Sequence, residues 1–214
     1  VSEESRDEAD YDLIVEAFGL PDSMRIFLRL EQRHSGVPVW SHDYELRQES
    51  GESSPSLTSF FGRALAPVLS PYGILLSDLS SMETPPPRVL CVLKAYAYFD
   101  KETLSERLAA HECLDAMIAN GVVHPTIFAL KAFLHLEGYR TSRTVIFDRD
   151  DPVREAQLAA RRALEAAPGS ARAHQANFAV YKSERRREQA LQAAERARQA
   201  NPYDLDVLAD VAAY

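Results

Sequence analysis

The segment from Ala156 to Pro168 is written a second time thirty-four residues later. Ala156, Ala159, Ala160, Arg162, Ala163, Ala166 and Pro168 recur as Ala190, Ala193, Ala194, Arg196, Ala197, Ala200 and Pro202. A period of this length marks a repeated helix–turn–helix unit, which cannot bury its apolar face alone and so stacks on its neighbours. The alanines supply the physical reason. Ala156 and Ala163 lie two turns apart on one helix face, and a small side chain at each turn lets two helix backbones approach closely. Pro168 and Pro202 end each second helix and open the next hairpin. A chain built this way is expected to present binding surfaces rather than to do chemistry.

The first part of the chain follows a different period. Tyr11, Leu13, Val15 and Ala17 alternate with acids, and Met24, Ile26, Leu28 and Leu30 alternate with Arg25, Arg29 and Glu31. Period two with one apolar face predicts half-buried strands, with turns at 19–22 and Ser35-Gly36 and a third strand over Val37–Tyr44. Residues 1–10 read as a solvated acidic lead-in and 47–56 as a loop. Leu57, Phe60, Phe61, Ala64, Leu65 and Val68 recur at helical spacing, with Ser56 as N-cap and Pro67 and Pro71 closing or kinking the helix. Gly73–Leu79 reads as a short edge strand. Ser80–Pro87, with three consecutive prolines, reads as the linker.

After Arg88 the pattern is helical throughout. Helices are expected over 90–99, from Thr103 to Asn120-Gly121, over 126–139, 152–167, 170–182 and 184–200, and from 203 onward. Thr103 with Glu106 forms a capping box, and Asp151-Pro152 an N-cap followed by proline at the first helical position. The step from Pro125 to Pro168 is one period plus nine residues, which the interruption at 141–150 absorbs. The expected division is an α/β region over 1–80, a linker over 81–87 and helical repeats over 88–214, an α+β fold overall.

Composition bounds the function. An apolar fraction of 46% supports a core, and 26% charged residues mark an ordinary globular chain. A formal net charge of −8 argues against phosphate-backbone binding, so no direct nucleic-acid contact is expected. No uninterrupted apolar run approaches the roughly 18 residues of a membrane span. The sequence begins with Val1 and ends at Tyr214 inside what reads as a new helix, so it reads as a piece of a longer protein. Cys91 and Cys113 read as two small buried side chains in preference to a disulfide, a preference that shifts toward a bridge if the chain is periplasmic.

Two resemblances follow from these residues. The thirty-four-residue period resembles the tetratricopeptide repeat, in a degenerate form: Tyr181 takes the aromatic position, whereas His174, Asn177 and Phe178 stand where tryptophan, leucine and glycine are usual. The run Arg25–Leu30, then Ser35-Gly36, then Val39–Tyr44 with Trp40, resembles the TolB-amino-terminal-like region that precedes such repeats. That pairing occurs in CadC-like and other winged-helix bacterial transcriptional regulators and in some class III adenylate cyclases. The resemblance covers roughly 11–214, departs from the pattern at Ser35, and lacks the front half of the α/β region and any output module. It implies a regulatory region.

Several residue groups invite a chemical reading. His111-Glu112-x-x-Asp115 looks like a zinc-protease helix whose second histidine is replaced, so a charged helix face is expected. Asp148, Asp150 and Asp151 lack the glycine and glutamate of a calcium loop. Arg185–Arg187 is flanked by Glu184 and Glu188 and reads as a solvated face. The six histidines show no pair at ligand spacing, though a titrating group remains an alternative. Trp40 reads as core or an interface anchor, with ligand stacking as the alternative. No phosphate loop or nucleophile elbow is present.

The expectation is therefore a non-catalytic binding region that needs no cofactor and no metal, taking a protein, a peptide or a small ligand and signalling to an output domain by population shift. Its nominated contacts are Arg172, Gln175, Ala179 and Lys182 on the first helix of the clearest repeat, with Lys131 and His135 upstream. A homodimer is among the partners considered, and an accessory region of a signalling enzyme or a free-standing adaptor are the alternatives. A cytoplasmic setting is favoured, or a periplasmic one if a transmembrane helix precedes Val1.

Overall fold

The computed structural model describes residues 10–47, 57–70, 73–141 and 151–212. The chain divides into two compact units, 1–81 and 82–214. It is an α+β protein, with a three-stranded antiparallel sheet followed by an array of helices.

In the first unit β1 (Tyr11–Gly19), β2 (Ser23–Gln32) and β3 (Pro38–Arg47) form a meander in the order β1-β2-β3. Tyr11 faces Gln32 across the first ladder, and a register shift at Leu30/Glu31 interrupts the second. The turn into β3 is closed by Gly36 at φ 65, a left-handed conformation that glycine adopts without steric cost. Alternation puts Ile26, Leu28 and Leu30 on one face, all buried. Helix α1 (Leu57–Leu69) covers that face with Phe60 and Ala64, beside the half-buried Trp40, Tyr44 and Leu46. Pro67 lies within α1, while Ser56 and Pro71 fall outside the described residues.

This unit departs from its expected pattern at two places. Gly73–Leu79 is not an edge strand: α2 runs Ile74–Ser81, and its first bond is Ser77 N–H to the Gly73 carbonyl. A short apolar run has no period that separates strand from helix. A Cβ on Gly73 would meet the Pro67 and Val68 carbonyl oxygens at 2.7 Å, so glycine is what lets α2 start so close to the end of α1. The second departure concerns β1, which is less buried than its alternation implies. Leu13 and Val15 are exposed, because the α1 cluster is built on β2 and β3. The stretch Ser59–Ser81, with a window of mean hydropathy 1.2, has the length and composition of a membrane span, and a quarter of that window is buried inside the protein. It is divided between α1 and α2.

The second unit is a succession of hairpins: α3 (Pro87–Lys101) with α4 (Leu104–Ala119), α5 (Pro125–Thr141) with α6 (Pro152–Ala166), α7 (Ala171–Ser183) with α8 (Arg187–Ala200), then α9 (Leu205–Ala212). Each first helix packs on both helices of the hairpin before it: α5 on α3 and α4, α7 on α5 and α6, α9 on α7 and α8. The starts are read from local chemistry. Thr103 accepts from the Glu106 N–H, and Asp151 accepts from Val153 and Arg154 with Pro152 at the first helical position. The expected interruption at 142–150 lies outside the described residues.

The alanine echo is also an echo of burial. Ala156, Ala159, Ala160 and Ala163 are buried, and so are Ala190, Ala193, Ala194 and Ala197. Ala156 to Ala163 meet Phe128, Ala132, Ala173 and Ala176 in one cluster. Ala173 and Val207, again one period apart, are both buried. Asn177, where the repeat pattern expects an apolar residue, donates from Nδ2 to the Ala160 and Ala173 carbonyls, both at 2.9 Å. It exchanges apolar packing for a hydrogen bond that ties α7 to α6.

The α7–α8 turn stores a small strain. Arg185 sits at φ 58 and is exposed. Left-handed backbone costs an L-residue roughly 1–2 kcal/mol and glycine almost nothing, against about 0.5–1 kcal/mol of extra chain entropy for glycine. Arg185→Gly is therefore expected to stabilise the protein by about 0.5 kcal/mol. Urea unfolding checks this, and a loss of stability would show that the arginine side chain contributes more than its backbone costs.

Candidate functional site

The nominated residues fall on two separate surfaces of the helical unit. The first lies between α4 and α5. One turn after Arg107 comes His111 and one turn later Asp115, so the three share a face of α4. Lys131 and His135, also one turn apart, stand opposite on α5. Lys131 Nζ lies 3.3 Å from His111 Nδ1 and pairs with the Asp115 carboxylate. The His111 and His135 rings approach edge-on at 5.1 Å between centroids.

His111 is 4% exposed and Arg107 equally buried. Burial first, and then the positive charge of Lys131 with His135 and Arg107 nearby, pushes the His111 pKa down to about 3. The ring is therefore neutral at neutral pH. It accepts the Lys131 ammonium proton at Nδ1 and carries its own hydrogen on Nε2. The expected charged helix face is only partly at the surface: Asp115 is exposed, but His111 is inside. The arrangement also shows what histidine spacing along one helix cannot, since the two rings come from different helices.

A neutral imidazole under an ammonium and a guanidinium makes a pH-sensitive joint between α4 and α5. The folded pKa lies below the unfolded value of about 6.5, so the unfolded chain takes up the proton first. Stability is then complete above about pH 6.5 and is lost as pH falls toward 3, at up to about 1.4 kcal/mol per pH unit for one such group. His124 and His174 are shifted down as well, chiefly by burial. We expect melts from pH 7 to 4.5 to lose stability on this slope and His111→Gln to flatten it. An unchanged slope in the variant would place the sensitivity elsewhere.

The second surface is on α7. Arg172 donates from Nη1 to Gln175 Oε1 at 2.6 Å and reaches Asp206 of α9 at 3.3 Å from Nη2. Gln175 is buried and Ala179 packs against the core cluster. Lys182 stands near the other end of the helix, its Nζ 5.4 Å from the Phe178 ring centroid. At 1.5 Å per residue these four span most of α7 and make no single pocket. Arg172, held by Gln175 of its own helix, instead joins one hairpin to the next. His174 ties α7 to the loop that precedes it by donating from Nε2 to the Pro168 carbonyl at 2.8 Å.

Arg186 pairs with Glu184 and lies over the Tyr181 ring at 4.8 Å. Trp40 is half-buried against the sheet core and stacks on His42. Asp148 and Asp150 lie outside the described residues, and Asp151 is a helix cap. Among the described residues no group of three or more histidine, cysteine, aspartate or glutamate side chains is placed to hold a metal ion. Cys91 and Cys113, expected to be separate, form a disulfide between α3 and α4 with Cα atoms 5.3 Å apart. Their sequence spacing of 22 residues could not show that the two helices present them to each other. No protein-family model matches the chain, and no curated protein matches it significantly.

Proposed function

We propose that the chain is a non-catalytic binding region that regulates an attached output domain, in a bacterial transcriptional regulator of the winged-helix type. The observation that carries this reading is the mode of stacking. Each first helix is lodged against both helices of the preceding hairpin, so a ligand that shifts one hairpin necessarily disturbs the next. The polar groups nominated as ligand contacts already serve as joints: Lys131 with Asp115 and His111, and Arg172 with Asp206. A protein, a peptide or a small acidic ligand competing for these cations would loosen a joint and change the population of hairpin arrangements. The Cys91–Cys113 bridge favours a setting in an oxidising compartment such as the periplasm, since disulfides are rare in reducing cytosol.

The in-frame coding sequence upstream of Val1 tests the reading. A winged helix, with or without an intervening membrane segment, supports it. A nucleotide cyclase module transfers the same binding role to a signalling enzyme. A polypeptide with no output domain on either side would overturn it in favour of a free-standing adaptor.

A further inference from the structure

The sheet has two edges, and they are treated differently. β3 opens on Pro38, a residue that blunts an edge against pairing, while each edge strand carries two acids. β1 has neither proline nor lysine over its nine residues. Leu13 and Val15 are 41% and 45% exposed on the face that β2 continues with Leu30 and Leu28.

Among the described residues no strand pairs with the outer rail of β1, and its hydrogen bonds show which groups lie on it. The Arg33 N–H bonds the Asp10 carbonyl and the Leu20 N–H bonds the Ser23 carbonyl. With Tyr11 opposite Gln32, these bonds place the even-numbered residues of β1 in hydrogen-bonded pairs with β2. The N–H and C=O groups of Tyr11, Leu13, Val15, Ala17 and Gly19 then point away from the sheet.

We infer that β1 pairs antiparallel with β1 of a second copy of this chain, about a twofold axis through Val15, to make one continuous sheet. Three points on β1 itself select this occupant and register. Val15 faces its own counterpart as a hydrogen-bonded pair, so every outward N–H and C=O from Tyr11 to Gly19 finds a partner. On the apolar face Leu13 meets Ala17 of the second copy. On the other face Asp12 meets Phe18 and Glu16 meets Ile14, so no like charges stand opposite. The neighbouring registers lack this property: a shift one way sets Asp12 against Glu16, and the other way sets Glu16 against Glu16. Like charges directly opposed on paired strands are destabilising. The pairing is isologous, as a closed dimer requires, and does not depend on what the helical array binds.

Sedimentation equilibrium of the full chain, from about 1 to about 200 μM, reads the assembly. A mass approaching twice 23.9 kDa is expected at the upper end. Val15→Pro removes an outward N–H without touching the β1–β2 ladder and should weaken dimerisation at least tenfold. Ile14→Glu, opposite Glu16 twice by symmetry, should weaken it by a similar factor, whereas Ile14→Lys should tighten it. Circular dichroism confirms that each variant is folded, and if Val15→Pro is not, the Ile14 pair decides. A monomer at every concentration overturns the inference, as does a dimer indifferent to both Val15→Pro and Ile14→Glu. Equal weakening by Ile14→Lys and Ile14→Glu overturns the register.

Discussion

Removing the Cys91–Cys113 bridge, by Cys91→Ala with Cys113→Ala or by reduction, is expected to cost about 3 kcal/mol of stability. The figure follows from the loop of 22 residues that the bridge closes, since tying two points of the unfolded chain removes conformational freedom that grows with the logarithm of loop length. The loss should be local before it is global. The bridge joins α3 to α4 near the start of the helical unit, and α5 rests on both helices. Hydrogen exchange in the reduced protein should therefore rise first in α3 and α4, while α7 and α8 keep their protection. Equal stability of the reduced and oxidised proteins would remove the bridge from the account of what holds this hairpin.

Ala163→Leu and Ala197→Leu are each expected to destabilise the array by about 1–3 kcal/mol through overpacking. Ala163 has no exposed surface and Ala197 is 1% exposed. Ala163 belongs to the cluster with Phe128, Ala132, Ala173 and Ala176, so three added carbons have no space unless helices part. The two sites lie in successive hairpins, and their effects should add to about 2–6 kcal/mol in the double variant. Exposed alanines give the control. Ala200 occupies the same helix as Ala197 and is exposed, so Ala200→Leu should be nearly neutral. Urea melts that rank the three variants otherwise would show that close approach of helices is not what the alanines provide.

The features legible in sequence were those with a local signature. Alternation in Met24–Leu30 named a strand because side chains on a pleat point to opposite faces. Asp151-Pro152 named a helix start because cap and proline act within one turn. Alanine at two-turn spacing named a buried face because a helix returns to the same side. The features missed depend on contacts between distant residues. Cys91 finds Cys113, and His111 finds His135, only because consecutive helices lie antiparallel. Ile74–Leu79 lacked a period long enough to tell strand from helix. β1 has the alternation of a half-buried strand, but nothing in its own residues says that α1 covers its neighbours instead. Among the six nominated contacts, Lys131 and His135 do stand together, but at a joint with α4 rather than beside Arg172. Gln175 and Ala179 turned inward because the face chosen as concave is partly the packing face of α7.

The central claim is that the helical unit is a stack of equivalent hairpins, each held by the one before it. Duplication of Pro168–Asn201, inserted in phase after Asn201, tests it most directly. A stack with nearest-neighbour interfaces accepts another unit, because α9 would meet the copy of α7 and α8 as it now meets the original. The account predicts a folded protein in which helical circular dichroism rises by one hairpin and the urea midpoint stays level or rises. An insertion that leaves the chain unfolded, or adds its residues without adding helix, would contradict it.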